Sequence, residues 1–167
     1  SLIVRPPADT GTLRMSSRLE NWPLTRPNRV AADVERLTQR RRALVDDLVV
    51  ARTVASDLRR ELAKAEADVE QVRARVARNR ARLDAGQGSA KDLQAMQHEL
   101  GTLGERQGVL EDAELEVMER LETAEAGVGE LEAQAGEVET ELSDVEQRRD
   151  EALAGLDSEA ATEQNAR

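Results

Sequence analysis

The sequence predicts an all-α protein, a long antiparallel two-helix coiled-coil hairpin with an irregular N-terminal segment. Composition, an aliphatic period near 3.5 and a turn signal at the centre of the chain predict it together. The 167 residues are 39% hydrophobic and 35% charged, yet they include no Phe, Tyr or Cys and a single tryptophan, Trp22. The large rings that fill most globular cores are therefore missing, which argues against a compact single-core domain. Abundant Ala, Glu, Leu and Arg with a helical apolar period mark long helices and coiled coils, and regularly spaced aliphatics argue against disorder.

The period can be followed residue by residue. Alternating steps of four and three from Val30 reach Val34, Leu37, Arg41, Leu44, Leu48, Ala51, Ala55, Leu58, Leu62, Ala65, Val69, Val72, Val76, Asn79 and Leu83, with only Arg41 and Asn79 breaking the aliphatic run. A second seam runs from Leu93 through Met96, Leu100, Leu103, Gln107, Leu110, Glu114, Val117, Leu121, Ala124, Val128, Leu131, Ala135, Val138, Leu142, Val145, Arg149 and Ala152 to Leu156. Seams of that length predict left-handed supercoiling of two helices, neither of which would be stable alone.

Between the seams lies "DAGQGSAKD". Gly86 suits the left-handed residue that ends a helix, and Ser89 with Asp92 three residues on forms a capping-box start for the next. A short connection makes sequential helices antiparallel neighbours, so Leu83 is expected to face Leu93, Val76 to lie near Leu100 and Leu37 near Val138. The expected organisation is an irregular segment over 1–29, a hairpin over 30–158 and a polar tail over 159–167. Within the hairpin the helices cover about 30–84 and 89–158, with the turn at 85–88.

Charge tests the pairing independently. Residues 1–83 carry 18 Lys and Arg against 11 Asp and Glu, and residues 84–167 carry 6 against 23, within a net charge of −10. A basic first helix beside an acidic second helix gains flanking attractions, whereas parallel pairing of two second helices would gather like charge. An intramolecular hairpin is thus favoured, as a monomer or a weak homodimer. Gly101, Gly104, Gly108, Gly127, Gly129, Gly136 and Gly155 loosen the second helix by about 1 kcal/mol each relative to Ala. Gly101, Gly104 and Gly108 are either tolerated small residues or places where a partner backbone approaches closely.

Pro6, Pro7, Pro23 and Pro27 break any long helix in the first 29 residues. Within this stretch, "LENWPL" is expected to be able to cover the exposed end of the second helix with Trp22. No apolar run reaches the roughly 20 residues of a bilayer span, and "LIV" is too short for a signal-peptide core, so a cytoplasmic protein without membrane contact is expected. With no cysteine in the chain, a disulfide framework and a cysteine zinc site within it are excluded.

"AKDLQAMQHELGTLGERQGVLEDAELEVMERLE", Ala90 to Glu122, resembles the second coiled-coil helix of the bacterial C4-type zinc-ribbon proteins, a family described as predicted nucleic-acid-binding. Lys91, Asp92, Leu93, Gln94, Gln97, Glu99 and Leu100 stand at the places of that family's motif after the turn, followed by Leu110, Glu111, Asp112, Glu116, Met118 and Glu119. The preceding "ELAKAEADVEQVRARVARNRARLDAGQ" is similar to the family's first helix and turn, and the likeness covers about residues 33–155. The resemblance implies a zinc ribbon with two Cys-x-x-Cys knuckles, which this chain does not contain, so no cofactor is expected in this chain and zinc belongs only to a ribbon beyond Arg167. A truncation just upstream of such a ribbon is the expected relation.

No catalytic or metal-ligating set is evident. His98 is the single histidine, cysteine is absent, and Ser and Thr lack a nearby base, so an enzyme is not expected. Acidic pairs such as Glu111 with Asp112 and Glu114 with Glu116 read as a solvated face. The candidate site is the basic tip formed by Arg73, Arg75, Arg78, Arg80 and Arg82 with Lys91. Such a cluster suits phosphate contact, or it pairs with Glu99, Glu105 and neighbouring acids and keeps the turn hydrated. The missing aromatic residues and the net negative charge oppose nucleic acid. The expected function is a non-enzymatic scaffold or adaptor that presents its tip to a protein partner. A nucleic-acid-binding module using the arginine tip is the alternative, and a self-associating structural rod is the third.

Overall fold

The structure, a computed structural model, describes residues 27–167. The expectations for the irregular segment up to residue 26, including the placement of Trp22, lie outside the described residues. Helix α1 spans Pro27–Asp84 and helix α2 spans Ala90–Asn165, and among the described residues there is no strand. The fold is therefore the all-α coiled-coil hairpin expected. Helix α1 begins ahead of the expected residue 30. Proline is well suited to a first helical turn, because the N–H it lacks has no partner there and its φ is already helical. Helix α2 runs past the expected end at 158, since Ser158 to Gln164 contains no Gly or Pro to stop it. Thr162 Oγ1 donates to the Ser158 carbonyl at 2.9 Å in this stretch.

The described residues divide into two compact units, one of residues 45–133 around the turn and one of residues 27–44 with 134–167. In the turn unit the buried residues are seam positions, among them Leu48, Ala55, Leu58, Val69 and Val72 of α1 and Met96, Leu103, Val117 and Leu121 of α2. Ala55, Leu58 and Leu121 form one cluster, with Leu62, Ala124 and Val128 packed on it. Nearer the turn, Val72 and Leu103 line one groove, Met96 is buried and Leu93 is half-buried.

In the unit that holds the chain ends, Leu37, Leu44, Val138 and Leu142 are buried. Arg41, a break in the first seam, is half-buried and reaches Glu139 at 3.5 Å. The second seam was expected to continue to Leu156, but Ala152 and Leu156 are exposed. With α1 starting at Pro27, no described residue of α1 lies level with Leu156.

Six ion pairs join the two helices, each within a single unit. Arg41–Glu139, Arg52–Glu132, Arg59–Glu125, Arg73–Glu111 and Arg75–Glu99 take the cation from α1, and only Arg120–Glu61 reverses the order. The charge asymmetry of the sequence is thus realised as cross-helix pairing. At these exposed positions each pair stabilises by about 0–1 kcal/mol, so the pairs select orientation more than they set stability.

The turn is closed by backbone geometry at both ends. Gly86 has φ 63°, its N–H donates to the Leu83 carbonyl at 3.0 Å, and the Gln87 N–H donates to the Arg82 carbonyl at 3.2 Å. These are the two bonds of a Schellman motif, which satisfies the last carbonyls of α1. Ser89 then caps α2: its Oγ accepts from the Asp92 N–H at 3.2 Å, and Asp92 Oδ2 accepts from the Ser89 N–H at 3.0 Å and from its hydroxyl at 2.7 Å. The hydrogen bonds from Ser89, with a smaller contribution from the charge of Arg82, hold the Asp92 carboxyl below its usual pKa. A depressed pKa means that the cap contributes fully above the ordinary carboxylate range and is lost as pH falls through the folded value.

Gly88, at φ 121°, occupies a backbone region that a side chain makes unfavourable, and an added Cβ would come 3.1 Å from Asp92 Cβ. Gly88→Ala at neutral pH and acidification of the native chain below about pH 4 are therefore expected to fray the same first turn of α2. Amide hydrogen exchange at Asp92 and Leu93 checks this: protection should fall in both cases, and by about fivefold in Gly88→Ala for the loss of a cap of roughly 1 kcal/mol. Unchanged protection in the Gly88→Ala chain would show that the cap tolerates the added methyl.

Candidate functional site

The basic tip is built by the last turns of α1 and the start of α2. Arg73 donates through Nη2 and Nε to Glu111 Oε1 at 2.7 and 3.2 Å, and Gln107 Nε2 donates to the same oxygen at 2.9 Å. Gln107 and Arg73 together hold the Glu111 carboxyl below its usual range, while the hydrogen bond to Glu111 holds the Arg73 guanidinium above its own. Arg75 donates to Glu99 on α2. Among the described residues, Arg78, Arg80, Arg82 and Lys91 form no ion pair. Two arginines of the cluster thus stabilise the hairpin, and the other cations remain exposed to solvent.

The cluster is also divided between two sides of the hairpin. Arg75 and Arg78 line a groove of about 530 Å³ with Asp68, Gln71, Val72, Leu103, Arg106 and Leu110. Arg73 and Arg80 line a second, more open groove with Val76, Ala77, Ala81, Asp84 and Gln107. Arg82 and Lys91 line neither. Arg106 was not recognised in the sequence. It is on α2, far from the arginine run, and only the antiparallel register brings it level with Arg75.

The residues of the motif after the turn have separable structural roles. Asp92 caps α2, Leu93 and Leu100 are half-buried seam positions, and Glu99 pairs with Arg75. Lys91, Gln94 and Gln97 are exposed. His98 is exposed beside the seam, and its carbonyl accepts from Thr102 Oγ1 at 3.4 Å. Among the described residues, no helix is long and apolar enough to cross a membrane.

Two helices joined by a Schellman turn and a capping box, with facing aliphatic seams and flanking Arg–Glu pairs, define a coiled-coil hairpin. The chain belongs to the family described as the CT398-like coiled coil hairpin domain, which it matches over residues 9–167. It is 37% identical over 112 residues to two Mycobacterium tuberculosis proteins, Uncharacterized protein MT2288 of strain CDC 1551 / Oshkosh and Uncharacterized protein Rv2229c of strain ATCC 25618 / H37Rv. The aligned stretch is 67% of this chain and 46% of each relative, so the match spans about half the length of those proteins. A solved structure from Mycobacterium smegmatis superposes with a TM-score of 0.70 at 32% identity, covering 92% of this chain and 63% of that one.

Proposed function

We propose that this chain is a non-enzymatic coiled-coil adaptor of the cytoplasm that presents its hairpin tip to a protein partner. The observation that carries the reading is the set of exposed cations Arg78, Arg80, Arg82 and Lys91, without an acid partner among the described residues, on a chain of net charge −10. What distinguishes the set is its concentration beside the turn, where three arginines of α1 and Lys91 of α2 lie close together without an acid partner among the described residues. The likeness of Ala90–Glu122 to the zinc-ribbon proteins supports placing this hairpin as the coiled-coil part of such a protein, with any zinc held outside this chain. The same unpaired cations favour a second reading, a nucleic-acid-binding module.

Changing Arg78, Arg80 and Arg82 together to Gln removes three charges without breaking an ion pair and keeps good helix formers in place. Helix content and melting are expected to stay within about 0.5 kcal/mol of the native chain, while capture of a protein partner by the native hairpin is lost. On the nucleic-acid reading, the native chain binds an oligonucleotide at ~50 mM salt, and the slope of log affinity against log salt shrinks by about 0.7 to 0.9 per lost phosphate contact in the variant. Salt-insensitive protein capture that survives the triple substitution would overturn the assignment of function to the tip.

A further inference from the structure

We propose that the groove lined by Arg75, Arg78 and Arg106 is a docking site for an acidic amphipathic helix of a partner protein, and this rests on the adaptor reading. Val72 of α1 and Leu103 of α2 form its floor, and each is 8% exposed. Leu110, half-buried, extends the apolar surface along α2. Arg78 and Arg106 rise from opposite helices, so the groove has a guanidinium on each wall. With Val72 and Leu103 closing the base and Leu110 the accessible apolar side chain, this juxtaposition with cationic walls matches a segment that sets a leucine-like side chain over Leu110 and carboxylates on either side. Each arginine can take a carboxylate bidentately, a stronger contact than a lysine would make.

Arg78 and Arg106 form no ion pair among the described residues, so both guanidinium groups lining the groove are open to carboxylates supplied by a partner. A nucleic-acid strand fits less well. Among the described residues there is no Phe, Tyr or Trp, so bases have no aromatic stacking platform in the groove.

The test uses the full chain and a labelled synthetic helical peptide with leucines spaced three and four apart, flanked by glutamates, read by fluorescence anisotropy. The native chain is expected to bind it. Arg78→Gln with Arg106→Gln should weaken binding at least about tenfold, as expected for loss of charge-assisted hydrogen bonds. A peptide with every Glu changed to Gln, or every Leu to Ser, should lose a similar factor. Arg148→Gln, which removes one exposed charge far along α2 from the groove, should leave affinity within about twofold, the small effect of a remote exposed charge.

The proposal is overturned if the native chain does not bind the peptide, or if the double variant binds no more weakly than Arg148→Gln. An oligonucleotide whose affinity falls with Arg106→Gln, and which displaces the peptide with a steep salt dependence, would assign the groove to nucleic acid instead. Failure here while the Arg78, Arg80 and Arg82 variant still loses a protein partner would leave the adaptor reading standing without this groove.

Discussion

Replacing Gly104, Gly129 and Gly136 together with alanine is expected to raise the stability of the chain by about 1.5 to 3 kcal/mol, the sum of three helix-interior increments of 0.5 to 1. All three are exposed helical positions, and an added Cβ at each meets nothing within 4 Å, so the gain in helix propensity is not opposed by a clash. The substitutions are well separated along α2 and share no partner, which favours additivity. Denaturant unfolding followed by circular dichroism checks the result through a higher midpoint with an unchanged slope. A stability gain accompanied by loss of partner capture would show that a glycine, Gly104 above all, provides close backbone approach for that partner. No gain at all would show that α2 is already strained away from ideal helix at these sites.

The same contrast between intrinsic preference and context explains how much was legible in the sequence. The seams were readable because a period of 3.5 is a local property, and every seam position from Val30 to Leu83 and from Leu93 to Arg149 is buried or half-buried. The turn was readable because Gly86, Ser89 and Asp92 act within a few residues of one another. The meeting of Arg106 with Arg75 and Arg78 in one groove was not, since it depends on the offset between two regular seams, which leaves each seam unchanged. Helix ends were also poorly readable: Pro27 opens a helix where proline was taken as a breaker, and polar residues after Leu156 continue one without burial. Within the arginine run, sequence spacing could not separate Arg73 and Arg75, which pair with Glu111 and Glu99, from Arg78, Arg80 and Arg82, which do not.

Asn79→Leu is expected to stabilise the hairpin by about 1 to 3 kcal/mol while weakening its choice of register. Asn79 is 9% exposed in the first seam, and its Nδ2 is buried without a hydrogen-bond partner. Burying that unsatisfied donor costs free energy, whereas a leucine there would extend the aliphatic surface between Val76 and Leu83. A single polar residue in a coiled-coil seam can fix register and chain number at a cost in stability, because it penalises apolar pairing with a slipped or second chain. The native chain should therefore be a monomer by light scattering, with cysteines introduced at Val72 and Leu103, which line one groove, crosslinking within one chain. In the Asn79→Leu background the melting temperature should rise, the in-chain crosslink should form in a smaller fraction of molecules, and dimer should accumulate with concentration. A variant that melts lower than the native chain would show that the amide is satisfied in solution and that its role in the seam is stabilising rather than selective.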